Sequence, residues 1–348
     1  MNQYFLPKSG WDFFDVSRAY GLGIVVHTLS EEATVSDVGG FYLVESSKNV
    51  NFSRIDEINK WLPEDDNAWN QTFLTIGEKL ERRKKMRVKE YLNDVKNIKD
   101  LINVLSQPKP PSVVGKGKET LYQSMDLAAT KGFREEIPKT YSEGSNIKIS
   151  SEDFCLSVLG HLNAGIRKFS NKIAIFILPT PNKTKISHLN EIRKKINDSV
   201  KTLHKAGWFT SLSQIAVNLV LEELEIEKGS KFSPKFGSLI YGVMTKTGNQ
   251  WKPLAGGIFP LDFLYQIADS EFARDLLNKW RDLFNRTSFR EGYENLASSL
   301  AEFIANPSLV NYERYIRLHL RNELSKDRIK FGVYEEKILK EVMDFVGV

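Results

Sequence analysis

The chain has 348 residues, of which 41% are hydrophobic and 11% aromatic, and this composition excludes a wholly disordered protein. Its single cysteine, Cys155, excludes a disulfide within the chain, and no apolar run approaches the roughly 20 residues that cross a bilayer. Because the first residues lack the basic start and apolar stretch of a secretory signal, we expect a cytoplasmic protein without a membrane span.

Positive charge is concentrated in one part of the chain. Between Arg82 and Lys118, eleven lysines and arginines stand against three acids, a local net charge of +8. The total is +5, which leaves −3 for the remaining residues. Clustered charge of this kind is what a phosphate-binding surface needs.

In the N-terminal part, the apolar spacing predicts a buried helix over residues 12–29, with Asp12 as its cap. Residues 33–44 alternate around Asp37-Val38-Gly39-Gly40 and predict a β-hairpin. Helices are expected over residues 55–62 and 69–105, the second interrupted near Gly77 and ended by the prolines from Pro108 onward. Residues 112–150 lack periodicity, so we expect a long loop that gains structure from a partner.

From residue 152 the pattern predicts a helix to about 168, a buried strand over 172–178 and helices over 186–205 and 212–224. Strands over 236–244 and 251–258 flank Thr247-Gly248-Asn249 and predict a second hairpin. After Pro260 the chain is almost wholly helical. The predicted helices there cover residues 263–267, 272–284, 293–304, 309–320 and 335–346.

These patterns predict an α+β fold with a mixed N-terminal and central region that contains β-hairpins, followed by a helical C-terminal bundle. Four consecutive segments are expected. They are an N-terminal α/β region with a basic helix (1–110), a basic loop containing glycine and proline (111–150), a central α/β region with a hairpin (151–262) and the helical bundle (263–348).

A search for catalytic groupings is mostly negative. Residues 114–120 fail the spacing of a Walker A loop, although their amides and lysines could meet phosphate. The five histidines are too widely separated for structural zinc, and we expect neither a metal nor a cofactor. Two of them, His27 and His161, are predicted as core or boundary residues with satisfied rings, and the other three, His188, His204 and His319, on the surface.

Two acidic stretches keep an enzymatic alternative open. Glu64-Asp65-Asp66 follows Pro63 and is typical of a solvated loop, yet it could bind a cation. Glu335-x-Lys337 has the tail of a restriction-type nuclease motif, on an apparent amphipathic helix without a partner aspartate. A metal-dependent nuclease or other defence enzyme with a divergent acidic site is therefore the second interpretation, and a protein without a catalytic site is the first.

The positive signals concern nucleic-acid binding. The basic helix is too densely charged to be only a half-buried face, so it predicts a patch that tracks phosphates. Lys116 and Lys118 lie in the loop that follows, and the second hairpin offers Asn and Gln side chains that could read base edges. A third group lies on one face of the helix over 309–320, with Tyr312 and Tyr315 nearby for base stacking and with Ile316 and Leu320 facing the bundle. The candidate binding residues are Arg82, Arg83, Lys84, Lys85, Arg87, Lys89, Lys116, Lys118, Lys246, Asn249, Gln250, Lys252, Arg314, Arg317 and Arg321.

Several stretches spread over most of the chain resemble the large subunit of a type I CRISPR-associated surveillance complex (Cascade), in the short type I-A or Myxococcus-like form of the eighth Cas family. The stretches are Trp11-Asp12-Phe13-Phe14-Asp15, Tyr20-Gly21-Leu22-Gly23, Gly117-Lys118-Glu119-Thr120-Leu121, Asp126-Leu127-Ala128-Ala129-Thr130-Lys131-Gly132-Phe133, Phe236-Gly237-Ser238-Leu239-Ile240-Tyr241, Leu296-Ala297-Ser298-Ser299-Leu300-Ala301-Glu302-Phe303 and Tyr312-Glu313-Arg314-Tyr315.

The resemblance implies a non-catalytic role in antiviral defence. Such a subunit holds the 5′ end of the guide RNA, recognises the short motif beside the DNA target and recruits the helicase-nuclease, while base pairing reads the sequence. It implies guide RNA, target DNA, other Cascade subunits and the helicase-nuclease as partners, and C-terminal helices similar to the small subunit. The resemblance does not assign the motif-reading residues, so Lys116, Lys118, Asn249 and Gln250 are proposed from their chemistry alone.

Overall fold

The computed structural model describes residues 1–74, 78–108, 117–122, 124–125, 148–226, 232–248, 250–270, 274–288, 290–324 and 344. The chain packs into two compact units. The first contains Met1–Arg167, Ala174–Arg193 and Ile240–Ile258, and the second contains Lys168–Ile173, Lys194–Leu239 and Phe259–Val348. Each unit draws on separate stretches of chain, whereas the four segments expected from the sequence are consecutive.

The first unit opens with strand β1 (Asn2–Pro7), helix α1 (Asp12–Ser30) and strands β2 (Thr34–Asp37) and β3 (Phe41–Ser46). Strands β2 and β3 pair antiparallel with Asp37 opposite Tyr42, which confirms the predicted first hairpin. The turn places Gly39 at φ +82°, a left-handed conformation that glycine adopts without strain. With β8 (Lys183–Lys185), these strands form an antiparallel sheet in the order β1-β3-β2-β8.

The predicted cap of helix α1 is wrong. Asp12 is the first helical residue, and the capping position is Trp11, whose side chain makes no capping hydrogen bond. Asp15, one turn further in, instead accepts hydrogen bonds from the backbone amides of Ser9 (2.8 Å) and Gly10 (2.9 Å). Its carboxylate also pairs with buried Arg18 at 2.5 Å, so the start of the helix is fixed from inside the helix.

The predicted helix over residues 69–105 is three helices: α2 (Asp66–Phe73), α3 (Glu78–Asn93) and α4 (Val95–Leu105). They follow a 3₁₀ helix over Phe52–Trp61. Leu74 ends α2 in a left-handed conformation, and the Asp94 carboxylate caps α4 by accepting from the amide of Lys96 at 2.8 Å. The end of α2 at Phe73 and the start of α3 at Glu78 confirm the interruption expected near Gly77, a residue that itself lies outside the described part of the chain. In the predicted loop, β4 (Glu119–Thr120) pairs antiparallel with β5 (Lys148–Ile149).

Helix α5 (Ser151–Ala164) is shorter than predicted, because Ile166–Phe169 forms strand β6. The four residues Ile166-Arg167-Lys168-Phe169 fit the apolar period of a helix and that of a strand, and in the structure they form a strand. Strand β7 (Ile173–Pro181) is buried along most of its length, as predicted, and helix α6 (Ile186–Ser199) ends before the predicted residue 205.

Strands β9 (Phe236–Thr247) and β10 (Gln250–Pro260) confirm the second hairpin. They belong to a second four-stranded sheet in the order β10-β9-β7-β6. Helix α7 (Trp208–Ile226), in the second unit, is buried through most of its length, longer than the predicted helix over 212–224.

The rest of the second unit is helical: α8 (Asp262–Asp269), α9 (Arg274–Thr287), α10 (Glu294–Ala305) and α11 (Leu309–Leu324). Helices α8, α9 and α10 pack on α7, and α11 packs on α10. The chain therefore has an α+β fold with antiparallel sheets and a helical C-terminal region, as the sequence predicts. The helix expected over residues 335–346 lies outside the described part of the chain. None of the helices in the described ranges has the length and apolar character of a membrane span.

Candidate nucleic-acid interface

Helix α3 carries the densest run of positive charge. Its apolar contribution to the core is small: Val88 and Leu92, four residues apart, are both fully buried. This narrow stripe fixes which side of the helix faces the protein, because residues four apart lie on the same face. The six candidate cations from Arg82 to Lys89 therefore divide between positions beside the stripe and positions away from it.

Lys84 lies beside the stripe and faces inward. Its ammonium group stands 5.5 Å from the ring centroid of Phe73 and 5.7 Å from that of Phe154. Burial lowers the pKa of Lys84, while the charge of Glu119 acts in the opposite direction. Lys84 is thus a cation held against aromatic faces, which makes it an anchor of the helix and removes it from the exposed patch.

Lys85 and Arg87 also have partners within the protein. The Lys85 ammonium group pairs with Asp66 at 2.5 Å and lies 5.7 Å from the Trp69 ring centroid. The hydrogen bond and charge of Lys85 lower the pKa of the Asp66 carboxyl. Arg87 forms an ion pair with Glu119 and donates to the Ser151 hydroxyl at 3.3 Å. Three of the six predicted cations therefore tie α3 to the elements around it.

The other three cations point away from the core. Arg82 and Arg83 are exposed, Lys89 is half-buried, and none of the three forms an ion pair with a residue that the structure describes. Arg82 and Lys89 are seven residues apart, two helical turns, with Met86 between them and 57% exposed. We call Arg82, Arg83 and Lys89 the α3 cationic face.

Helix α4 extends the positive surface. Lys96 and Lys99 are both exposed, and the Lys99 ammonium group lies 5.5 Å from the Phe52 ring centroid. The acids of this stretch are Asp94, which caps the helix, and exposed Asp100. The sequence search counted these lysines in the basic segment without proposing them as ligands. The signal that could have found them is the continuation of positive charge past the end of α3.

One of the two loop lysines lies among the residues that the structure describes. Lys116 lies outside the described residues, whereas Lys118 is exposed and directly precedes Glu119. Because Glu119 pairs with Arg87, strand β4 brings Lys118 close to α3. The structure thus joins one loop lysine to the basic helix.

The second hairpin presents two of its four candidate residues openly. Lys246 and Lys252 are exposed, and the Lys246 ammonium group lies 6.0 Å from the Trp251 ring centroid. Gln250 begins strand β10, and Asn249 lies outside the described residues. The hairpin therefore offers exposed cations close to its tip.

The arginine stripe on α11 is exposed, but two of its members have acidic partners. Arg314 pairs with Glu302 at 2.6 Å, Arg317 pairs with Glu313, and Arg321 is exposed. A cavity of about 620 Å³ lies between α10 and α11 and is lined by both paired arginines. The exposed charge available to an anion is smaller here than the sequence predicts.

The aromatic residues of α11 do not have the predicted orientation. Tyr315 is only 2% exposed and stacks on Phe303 with 6.4 Å between ring centroids, so its ring is not free for base stacking. Leu320, expected to face the bundle, is 43% exposed. The buried face runs through Tyr315 and His319, because the helix turns these positions toward α10.

The acidic stretch proposed for the enzymatic alternative has structural partners. Asp65 caps α2 by accepting from the amide of Asn67 at 2.9 Å, and Asp66 pairs with Lys85. Within the described ranges, no group of three or more histidines, cysteines or acids is arranged to hold a metal ion. Glu335 and Lys337 lie outside those ranges.

Two of the five histidine predictions are wrong. His161 is fully buried as predicted, although its ring nitrogens have no partner among the described residues, whereas a satisfied ring was expected. His204 and His319, expected on the surface, are 3% and 0% exposed. The His204 Nε2 atom lies 3.1 Å from the Thr287 hydroxyl, and burial lowers its pKa to about 4. A histidine on a polar sequence stretch can be buried when a neighbouring element supplies a partner for the ring.

Comparison with known proteins finds a closely similar archaeal relative. No protein-family profile matches the chain. An uncharacterized protein of Archaeoglobus fulgidus is 65% identical over 351 aligned residues, which cover all of this chain and 99% of that protein.

Proposed function

The chain belongs to the same family as this Archaeoglobus fulgidus protein, and we propose that it is a non-catalytic, nucleic-acid-binding large subunit of a type I CRISPR Cascade complex. In this proposal it contacts guide RNA and target DNA, reads the target-adjacent motif and recruits the helicase-nuclease. The sequence stretches given above support the choice of complex. The observation that carries nucleic-acid binding is the α3 cationic face.

The α3 cationic face is suited to phosphate because its scaffold is held in place. Lys84 packs on aromatic rings, Lys85 pairs with Asp66 and Arg87 pairs with Glu119. These three contacts hold the helix in position. Arg82 and Arg83 then project from a fixed helix. Phosphate contacts of this kind supply affinity and orientation, and they leave sequence recognition to base pairing with the guide.

The hairpin and α11 take different roles in the proposal. Lys246 and Lys252 at the second hairpin are exposed, and they suit contact with the DNA beside the target. Arg314 and Arg317 already pair with Glu302 and Glu313, which suits contact with a neighbouring subunit better than contact with a polyanion. Arg321 is exposed, so it is suited to contact with a nucleic acid or with a neighbouring subunit.

The structural roles of Asp65 and Asp66 support the proposal that the protein has no catalytic site. Asp65 is needed as a helix cap and Asp66 as the partner of Lys85, so each has a structural reason to be present. Incubation of the purified protein with DNA or RNA and magnesium or manganese should give no cleavage. Cleavage that disappears in an Asp66→Asn variant would overturn this part of the proposal.

Purification of the tagged chain from its native host tests the proposed complex. The co-purifying RNA is sequenced and the co-purifying proteins are identified by mass spectrometry. We expect short RNAs that share one repeat-derived 5′ segment, together with several stoichiometric protein subunits. A preparation that carries no RNA, or only a random sample of cellular RNA, would overturn the Cascade assignment.

A further inference from the structure

Two arginines of the first unit are partly buried and have no carboxylate partner among the residues that the structure describes. Arg167 on β6 donates from Nη1 to the Ala68 carbonyl at 3.2 Å and to the Thr72 hydroxyl. Arg193 on α6 donates from Nε to the Gly165 carbonyl at 3.1 Å. Neither arginine forms an ion pair with any residue in the described ranges, and both are at most partly exposed.

A buried histidine lies close to both arginines. His161 is fully buried, and neither of its ring nitrogens has a hydrogen-bond partner among the described residues. Gly165 links the histidine to the arginines, because a Cβ at this position would come within 2.6 Å of the His161 ring. Burial lowers the pKa of His161 well below 6.5, and the charges of Arg167 and Arg193 act in the same direction.

We call Arg167, Arg193 and His161 the buried cationic cluster. Burial also lowers the pKa of Arg167 to about 9 and of Arg193 to about 10, so both guanidinium groups stay charged at neutral pH. Two partly buried positive charges without a counter-charge among the described residues favour an anionic ligand, since one carbonyl bond for Arg193 compensates only a small part of its desolvation. The unsatisfied ring nitrogens of fully buried His161 point the same way, because buried polar atoms in native proteins normally have a hydrogen-bond partner.

The remaining guanidinium nitrogens can be reached from outside. Nε and Nη2 of Arg167 and both Nη atoms of Arg193 have no hydrogen-bond partner in the described part of the chain, yet they are not among its fully enclosed polar atoms. These nitrogens are therefore open to a small ligand. Both arginines also lie near the C-terminal end of α5, where the negative end of the helix dipole favours a positive charge.

We propose that the buried cationic cluster binds a phosphate dianion, either as inorganic phosphate or as a phosphate monoester. Two positive charges are balanced by one dianion, whereas a carboxylate or a bridging phosphodiester would leave one charge uncompensated. The arginine fork matches phosphate oxygens with two parallel N–H donors, and neutral His161 can donate a third. This site goes beyond the proposed function, because it depends on neither the α3 cationic face nor a guide RNA.

Calorimetric titration with inorganic phosphate at constant ionic strength tests the proposal. The wild-type protein should bind one phosphate in a saturable manner, and Arg193→Gln should weaken that binding at least about tenfold, since a hydrogen bond to a charged group is lost. Arg290→Gln, at an exposed position of the second unit, is the matched control and should bind as the wild type does. No binding at millimolar phosphate, or equal binding by Arg193→Gln, would overturn the proposal.

Thermal unfolding with and without phosphate separates ligand binding from a structural role. Without phosphate, Arg193→Gln should unfold at the same temperature as the wild type or higher, because an uncompensated buried charge has been removed. With phosphate, the wild type should become the more stable protein. If Arg193 is only structural, the variant is less stable by the same amount in both conditions. Arg193→Lys, which keeps the charge and loses the fork, serves the same test if the glutamine variant does not fold.

Two oligonucleotides of identical sequence distinguish the sources of the phosphate. One carries a 5′ phosphate and the other a 5′ hydroxyl. A preference of about tenfold or more for the phosphorylated form, absent in Arg193→Gln, assigns the cluster to a nucleic-acid terminus. Equal binding of the two, together with intact binding of inorganic phosphate, assigns it to the free ion.

Discussion

Reversal of two charges on the α3 cationic face should weaken nucleic-acid binding without unfolding the protein. Arg82 and Arg83 are exposed, so Arg82→Glu/Arg83→Glu breaks no ion pair with a residue that the structure describes. The helix keeps the anchors of Lys84, Lys85 and Arg87. The variant should therefore fold, which circular dichroism and thermal unfolding can verify.

The size of the effect follows from counterion release. Each phosphate neutralised on duplex DNA contributes about 0.9 to the slope of log affinity against log salt. Loss of two contacts should lower that slope by about 1.8. Counterion release makes no contribution at about 1 M salt, so the affinity at that concentration serves as the reference. Between about 1 M and about 0.1 M salt, a slope difference of about 1.8 corresponds to a roughly 60-fold change in affinity. Repulsion between the new carboxylates and the phosphates adds to this loss.

Fluorescence anisotropy with a labelled duplex, measured from about 50 to about 200 mM salt, gives both the affinity and the slope. The matched control is Lys201→Glu/Arg290→Glu, which makes the same change in net charge at exposed positions of the second unit. The control should retain the wild-type slope. A wild-type slope in the α3 variant, or an equal loss in the control, would show that binding depends on total charge and not on this face.

Two further predictions concern the core. Gly160→Ala should destabilise the protein by about 3 kcal/mol or more in thermal unfolding, because the added Cβ would collide with the Ser17 carbonyl of α1, whereas Gly40→Ala, with open space around it, should change little. Burial raises the pKa of Glu223 from 4.5 to about 8 although Tyr265 donates to it at 2.7 Å, so the folded state favours the neutral acid. Stability should then fall by roughly 3 to 5 kcal/mol as the pH rises from 4.5 to about 8, and urea denaturation of Glu223→Gln should lack this loss.

The element types could be predicted from the sequence where the pattern is local. Both hairpins follow from glycine turns between alternating residues, and the C-terminal helices follow from their apolar spacing. The break between α2 and α3 was also predicted, near Gly77. The second break, at Asp94 between α3 and α4, could not be predicted, because aspartate is not a strong helix breaker. Strand β6 was missed for a similar reason, since four residues carry too little periodicity to separate a strand from a helix end.

The basic helix shows what residue spacing leaves undetermined. Charge density identifies α3 as cationic, and spacing places Val88 and Leu92 inward. Which cations remain available is decided by Asp66 and Glu119, which lie 19 and 32 residues away from their partners Lys85 and Arg87. Long-range pairing of this kind is a property of the tertiary structure, so the sequence predicts the patch and the structure reduces it to half of its members.

The sequence gives no indication that Arg167 and Arg193 are unusual, in contrast to the basic helix. In the sequence both stand in polar stretches near acids or lysines, and nothing distinguishes them from surface residues. Their partly buried position follows from the end of α5 and the close approach of Gly165 to His161, neither of which is visible in residue order. A charged residue becomes informative only once its burial and the lack of a counter-charge are both known.

Salt separates the two kinds of positive charge. The α3 cationic face is exposed, and ions at physiological concentration screen exposed charges beyond about 8 Å, so binding there should weaken steeply with added salt. In the buried cationic cluster His161 is fully buried and both arginines are partly buried, so screening is weaker there and its affinity for phosphate should depend less on a neutral salt such as potassium chloride. If both proposals hold, duplex binding and phosphate binding respond differently to the same salt series, each is lost in its own variant, and neither variant affects the other activity. Parallel salt dependence of the two activities would mean that one surface accounts for both.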